Sequence, residues 1–227
     1  MAFRNVWPLA PPPKPPTIKY KIPKRYKPRV RVENVVASVT LNQRVDLEAI
    51  EEAFGDKVRY DPHEFPGLVF RLEHPKTATL IFNSGKMVCT GAKSEKQAHE
   101  AVYKTVEELR KQGIVIKGEP IIEIQNIVAS ADLHGTLDLE KIVYMLENTM
   151  YEPEQFPGLI YRMDEPRVVM LLFASGKLVC TGARTEADVY RAVELLQQQL
   201  IETETISYAK EVKEYNERLA KREKRKR

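Results

Sequence analysis

The sequence predicts an α+β protein built from two copies of one unit, and three observations lead there. The stretch Thr79 to Gly91, TLIFNSGKMVCTG, returns almost unchanged as Met170 to Gly182, MLLFASGKLVCTG. The copies extend upstream, where Asn34-Val-Val-Ala-Ser, Val45-Asp-Leu-Glu and Phe65-Pro-Gly-Leu match Asn126-Ile-Val-Ala-Ser, Leu137-Asp-Leu-Glu and Phe156-Pro-Gly-Leu. Within each copy the residue pattern reads strand, helix, several strands, helix. Third, the strands carry apolar residues on both faces. Two copies are too few for a solenoid and suit a pseudo-twofold pair.

The totals set the outer limits. At 227 residues the chain has ample material for a core. It has no run of eighteen apolar residues and no apolar stretch at its N-terminus, so it reads as soluble and intracellular, cytoplasmic or, in a eukaryotic source, nuclear. Cys89 and Cys180 hold equivalent places in the two copies, which favours two buried core thiols over a disulfide. The net charge of +4 hides a segregation: residues 1–31 carry nine basic residues and no acid, and 210–227 carry nine basic and four acidic. Residues 32–209 are left with 18 basic and 28 acidic residues, a net of −10, so the body is acidic between two basic ends.

In chain order, residues 1–30, with PLAPPPKPP followed by alternating cations and prolines, read as a basic, disordered or extended arm. The first copy is expected over 31–119 and the second over 120–205. Val32 to Thr40 is β-branched and alternating, a strand with Val32, Asn34, Val36 and Ser38 on one face and Val35, Ala37 and Val39 on the other. Asp46 to Phe54 has Leu47, Ile50, Ala53 and Phe54 at helical spacing, with Asp46 as N-cap and Gly55 as stop. A loop through Asp61-Pro-His-Glu-Phe-Pro-Gly leads to strands near Leu68–Leu72, Thr77–Phe82 and Lys86–Thr90, with Asn83-Ser-Gly turning the last hairpin. Ser94 to Gln112 closes the unit as a capped helix with Ala98, Ala101, Val102, Thr105, Val106 and Leu109 as its apolar stripe. The order repeats from Ile121 to about Leu200. Residues 206–227 form a basic tail in which Tyr208, Val212, Tyr215 and Leu219 recur at helical spacing.

If Ile81, Met87 and Cys89 face the helices, then Leu80, Phe82, Val88, Thr90, Val36 and Asn34 lie on the opposite side. Two helices per copy cover one side of a sheet, so this second face needs a partner or a second sheet stacked on it. The cations favour a partner. Arg71, Lys76, Lys86 and Lys93 match Arg162, Arg167, Lys177 and Arg184 pairwise, and cations around an apolar, hydroxyl-bearing surface suit the DNA minor groove, where phosphates flank a weakly coded floor.

These motifs resemble the TATA-box-binding protein family, in its archaeal form. NVVAS with NIVAS, FPGL twice, LIFNSGKMVCTGAK with LLFASGKLVCTGAR, and Pro75-Lys with Pro166-Arg cover both halves of the family core. The resemblance implies a saddle: one curved ten-stranded antiparallel sheet with four helices on the convex face. It implies a general transcription initiation factor that is not an enzyme and uses no cofactor. Such a factor binds the minor groove of double-stranded A·T-rich promoter DNA, kinks it, and recruits the B-type initiation factor and RNA polymerase.

Carried over residue by residue, Phe65 with Phe82 and Phe156 with Phe173 are the two wedges, and Asn34 and Asn126 donate to minor-groove acceptors. Val36, Val128, Leu80, Leu171, Val88 and Val179 form the apolar floor, with Thr90 and Thr181 beside it. Arg71, Arg162, Lys86, Lys177, Lys93 and Arg184 take phosphates together with Ser84 and Ser175. Glu152, Glu154 and Gln155 are the expected contacts of the B-type factor. Glu33 departs from the family, which has Gln where Gln125 stands, so a weaker or differently hydrated contact is expected there. The basic tail is expected to add salt-sensitive DNA affinity or to bind an acidic partner. A homodimer is one way to cover the sheet when DNA is absent. The rival readings are a nucleic-acid-processing enzyme that uses such a platform, and a protein-binding adapter.

Overall fold

The computed structural model describes residues 18–224. The first copy runs β1 (Arg29–Thr40), α1 (Leu47–Phe54), β2 (Val58–Asp61), β3 (Phe65–Leu72), β4 (Thr77–Phe82), β5 (Lys86–Ala92) and α2 (Glu95–Lys111). The second runs β6 (Ile121–Asp132), α3 (Leu139–Met145), β7 (Thr149–Met150), β8 (Leu159–Met163), β9 (Val168–Leu172), β10 (Lys177–Ala183) and α4 (Glu186–Glu202), and α5 (Ala209–Lys224) follows. All ten strands join one antiparallel sheet in the order β2-β3-β4-β5-β1-β6-β10-β9-β8-β7. The order is a palindrome about β1 and β6, so the copies meet along their longest strands. The stacked-sheet alternative is excluded.

The local chemistry explains the boundaries. Asp46 accepts from the backbone N–H groups of Glu48 and Ala49 to start α1, and Gly55, at φ 52°, follows its end. Ser94 and Thr185 cap α2 and α4 in the same way. The expected stripe of α2 is buried in full. Along β4 and β5 burial alternates: Thr79, Ile81, Met87 and Cys89 point to the helices, and Leu80, Phe82, Val88 and Thr90 point away, half-buried. Cys89 and Cys180 are free and buried, and desolvation pushes the Cys180 thiol up to about 12.

Four expectations change. Val32 lies on the helix face with Val35, because the β1–β6 register slips by one residue at Glu33; a matching slip occurs at Gln125. The segment read as loop, Asp61 to Gly67, is shortened from both ends: an unexpected strand, β2, runs up to Asp61, with Arg59 paired to Val69 and Asp61 to Phe65, and β3 already begins at Phe65. The helices number five among the described residues, because the tail forms α5 and buries Ile206, Tyr208, Ala209 and Val212 in the common core.

The fourth change concerns the N-terminal arm. Its residues 1–17, with Trp7, lie outside the described part, and β1 begins at Arg29. Residues 18–28 lie against α4 and α5. The Gln198 side chain accepts from the backbone N–H of Lys19 and Tyr20 and donates to the Tyr20 carbonyl, and Asn216 makes the same two-way contact with Lys21. Tyr26 stacks on Tyr208 at 4.1 Å between ring centroids, and both Arg25 and the Tyr26 hydroxyl reach Glu211. Composition signalled an unpaired chain here, whereas side-chain amides on α4 and α5 satisfy its backbone. No helix among the described residues is long and apolar enough to cross a membrane.

Candidate nucleic-acid interface

The face turned away from the helices is organised in rows that run across the strands. One row reads Arg59, Val69, Leu80, Val88, Ser38 and Glu123, each residue paired in register with the next. Its counterpart reads Met150, Ile160, Leu171, Val179, Ser130 and Arg31. At the centre Asn34 pairs with Val128 and Val36 with Asn126, so the four residues expected in the middle of the site do sit together about the pseudo-twofold axis.

The two asparagines are held in one orientation. Gly91 N–H donates to Asn34 Oδ1 at 2.8 Å and Gly182 N–H donates to Asn126 Oδ1 at 2.7 Å. A backbone N–H can only donate, so each amide oxygen is committed and Nδ2 is the side that can donate to a ligand; Asn34 Nδ2 also donates to Thr90 Oγ1 at 3.1 Å, which leaves one of its two hydrogens. Thr90 and Thr181 stand beside them, bonded to Asn34 and Asn126 respectively.

At each end of the sheet two phenylalanines meet edge to face. Phe65 and Phe82 have centroids 5.8 Å apart at 66°, and Phe156 and Phe173 are 6.0 Å apart at the same angle. Phe65 and Phe156 remain 41% and 40% exposed. The Pro-Gly that follows each has a steric reason. A Cβ on Gly67 would lie 2.6 Å from the Phe65 ring and 2.9 Å from Phe82, and one on Gly158 would lie 2.6 Å from Phe156 and 3.1 Å from Phe173. Only glycine lets the two rings of a pair approach across that backbone.

Cations line the margins. Among the described residues Arg71, Arg162, Lys86, Lys177 and Arg184 make no ion pair, and Lys93 meets only Glu33, at 3.7 Å. All six are exposed, as are Ser84 and Ser175 in the turns. Glu152, Glu154 and Gln155 lie exposed in the loop before Phe156, apart from the sheet centre.

The Glu33 charge is paired within the protein. Its carboxylate accepts from Ser130 Oγ at 2.7 Å and lies 3.6 Å from Arg31, while Lys93 donates to its carbonyl at 2.6 Å. The Ser130 bond first, then Arg31 and Lys93, holds the carboxyl below the usual carboxylate range. At the matching bulge Gln125 donates to Ser38 Oγ at 2.8 Å, so both copies place the residue before the asparagine on a serine. The motif comparison missed Arg31, Val69 and Ile160, although the alternation within FPGLVFRL and FPGLIYRM carried the signal for the last two.

The family model described as Transcription factor TFIID, or TATA-binding protein, matches residues 29–112 and 121–203. The chain belongs to the TATA-box-binding protein family. It is 54% identical over 186 residues to the TATA-box-binding protein of Sulfolobus acidocaldarius, covering 82% of this chain and 94% of that one. With the protein of the same name from Pyrodictium occultum it shares 57% over 174 residues, 77% of this chain and 87% of the other. The solved structure of Methanococcus jannaschii TBP superposes with a TM-score of 0.70 at 47% identity, covering 76% of this chain and 98% of that one. The TATA-box-binding fold is thus the saddle, a family of transcription factors rather than of enzymes. Residues 18–28 and α5 lie outside the segments that the family model matches.

Proposed function

We propose that this chain is a general transcription initiation factor that reads A·T-rich promoter DNA through the open face of its sheet. The observation that supports this most is the pair of asparagines with committed oxygens, set in an apolar floor between two phenylalanine pairs. Asn126 Nδ2, and the hydrogen of Asn34 Nδ2 that Thr90 does not take, match the acceptors that A·T and T·A present alike in the minor groove, and the exocyclic amine of guanine would press on Val36, Val128, Leu80 and Leu171. The wedges lie on β3 and β4 and, in the second copy, just before β8 and just after β9, so the duplex crosses the strands and its backbones run over the cationic margins. TATA-box-binding proteins are themselves the standard example of wedge insertion, in which unstacking is offset by the surface that the bent duplex gains.

In this reading Glu152, Glu154 and Gln155 receive the B-type initiation factor, which brings RNA polymerase, and the DNA-free face is available to a second copy. End-to-end energy transfer on a labelled TATA-containing duplex tests the reading. Addition of the protein should shorten the distance, and a G·C-substituted duplex should stay straight. Equal bending of both duplexes, or of neither, would remove it.

A further inference from the structure

The internal duplication supplies its own control for what the fold requires of each surface position. At the end of α3 the second copy carries Val143-Tyr144-Met145-Leu146, where the first copy carries Glu51-Glu52-Ala53-Phe54. Val143, Leu146 and Phe54 are partly buried and pack on the core, so they are explained by folding. Tyr144 and Met145 are not: Tyr144 is 89% exposed and Met145 is 50% exposed. The first copy folds with Glu52 and Ala53 at those places, so the architecture does not ask for an aromatic ring or a thioether there. Tyrosine and methionine are enriched at the cores of protein interfaces, where each removes a large apolar area from water, tyrosine at small entropic cost and methionine with a side chain that adapts to its partner.

The surroundings indicate what would cover the pair. From Asp138 to Glu147 the chain has three acids, Asp138, Glu140 and Glu147, against one cation. That cation, Lys141, is turned onto the Glu204 carbonyl. Glu140 stands one helical turn before Tyr144 on the same face, and the exposed Glu147 follows two residues after Met145. Leu139 and Ile142 of α3 point into the core, which places this helix on the covered side of the sheet, away from the open face.

We propose that the end of α3 is a docking surface for a protein segment that presents an apolar side chain between lysines or arginines. Tyr144 and Met145 take the apolar anchor, and Glu140 and Glu147 pair with the flanking cations. Charge at the rim sets the rate and choice of partner while the buried pair sets how long it stays. The surface goes beyond the DNA reading and does not depend on it.

The test is a random linear peptide library displayed on phage, selected on the full chain and counter-selected on the Tyr144→Glu, Met145→Ala variant. Those substitutions import the first copy's own residues, and an unchanged melting curve verifies folding. A second variant, Glu140→Lys with Glu147→Lys, keeps both anchors and reverses the rim. The expected clones carry an apolar residue flanked by Lys or Arg, and each variant weakens their binding by about tenfold or more. Clones that bind both variants as well as the wild type would overturn the proposal, as would an acidic consensus. Self-association in sedimentation that disappears with Tyr144→Glu would overturn it too, since the occupant would then be a second copy.

Discussion

Replacing Glu33 by Gln makes the first copy like the second at the position before the central asparagine, and the outcome follows from three contacts. In the wild type one carboxylate accepts from Ser130 and faces Arg31 and Lys93 at 3.6 and 3.7 Å, all at the margin of the open face. DNA phosphates compete with that carboxylate for both cations. The amide can donate to Ser130 as Gln125 donates to Ser38, so folding has a precedent in the same molecule. Each cation released to a phosphate adds about 0.9 to the slope of log K against log salt, so the variant should bind A·T-rich DNA more tightly at low salt with a slope steeper by about 0.9 to 1.8. Anisotropy titrations over a salt series measure it.

The pH dependence has a definite sign. The Glu33 carboxyl is held below the ordinary carboxylate range, so its ion pairs persist above that range and weaken only as pH falls through the lowered value. On acidification wild-type DNA affinity should rise toward that of Glu33→Gln. An unchanged slope, or weaker binding by the variant, would refute the reasoning.

Further outcomes follow from other contacts. Gly158→Ala places a methyl against Phe156, whose exposure lets the ring swing aside, so the fold should lose only about 1 kcal/mol while the duplex loses its kink at that end. Denaturant melts and energy transfer separate the two effects. In Tyr208→Phe the Leu133 carbonyl and one Gln197 hydrogen lose a buried partner, at a cost of about 1–3 kcal/mol, or about 2–4 °C in Tm for each, with DNA bending unaffected. Neutralising Lys221, Arg222 and Lys224 to Gln should leave the salt slope of DNA binding unchanged, because α5 packs on α4 rather than over the open face. A slope lowered by about 0.9 per cation would restore a DNA role to this helix.

Much of this architecture was legible because the chain states it twice. The Phe-Pro-Gly-Leu motif shows how: its meaning lies in a ring pair that four strands separate from its twin, yet the glycine that permits the pair stands in the sequence. Alternation in TLIF and KMVCT placed Leu80, Phe82, Val88 and Thr90 on one face, and the structure agrees. Val32 was misplaced because a one-residue bulge inverts alternation and leaves no mark in residue type. The docking of residues 18–28 is illegible for a related reason. Lys, Tyr and Pro in residues 18–28 describe a segment with no core of its own, and what holds it is a set of amides, Gln197, Gln198 and Asn216, 171 to 195 residues away. Likewise Glu33 read alone is a repulsive charge, and only the register of β1 with β6 brings Ser130 to it.

The measurement nearest the central claim reports base stacking at each end of the bound site separately. A duplex with an A·T-rich centre carries 2-aminopurine at one end or the other, and its fluorescence is followed with the wild type and with Phe65→Ala, Phe82→Ala or Phe156→Ala, Phe173→Ala. The account predicts unstacking at both ends with the wild type and loss of the signal at one end only for each double variant, a different end each time. Signals that survive in both variants, or that never rise with the wild type, would contradict it.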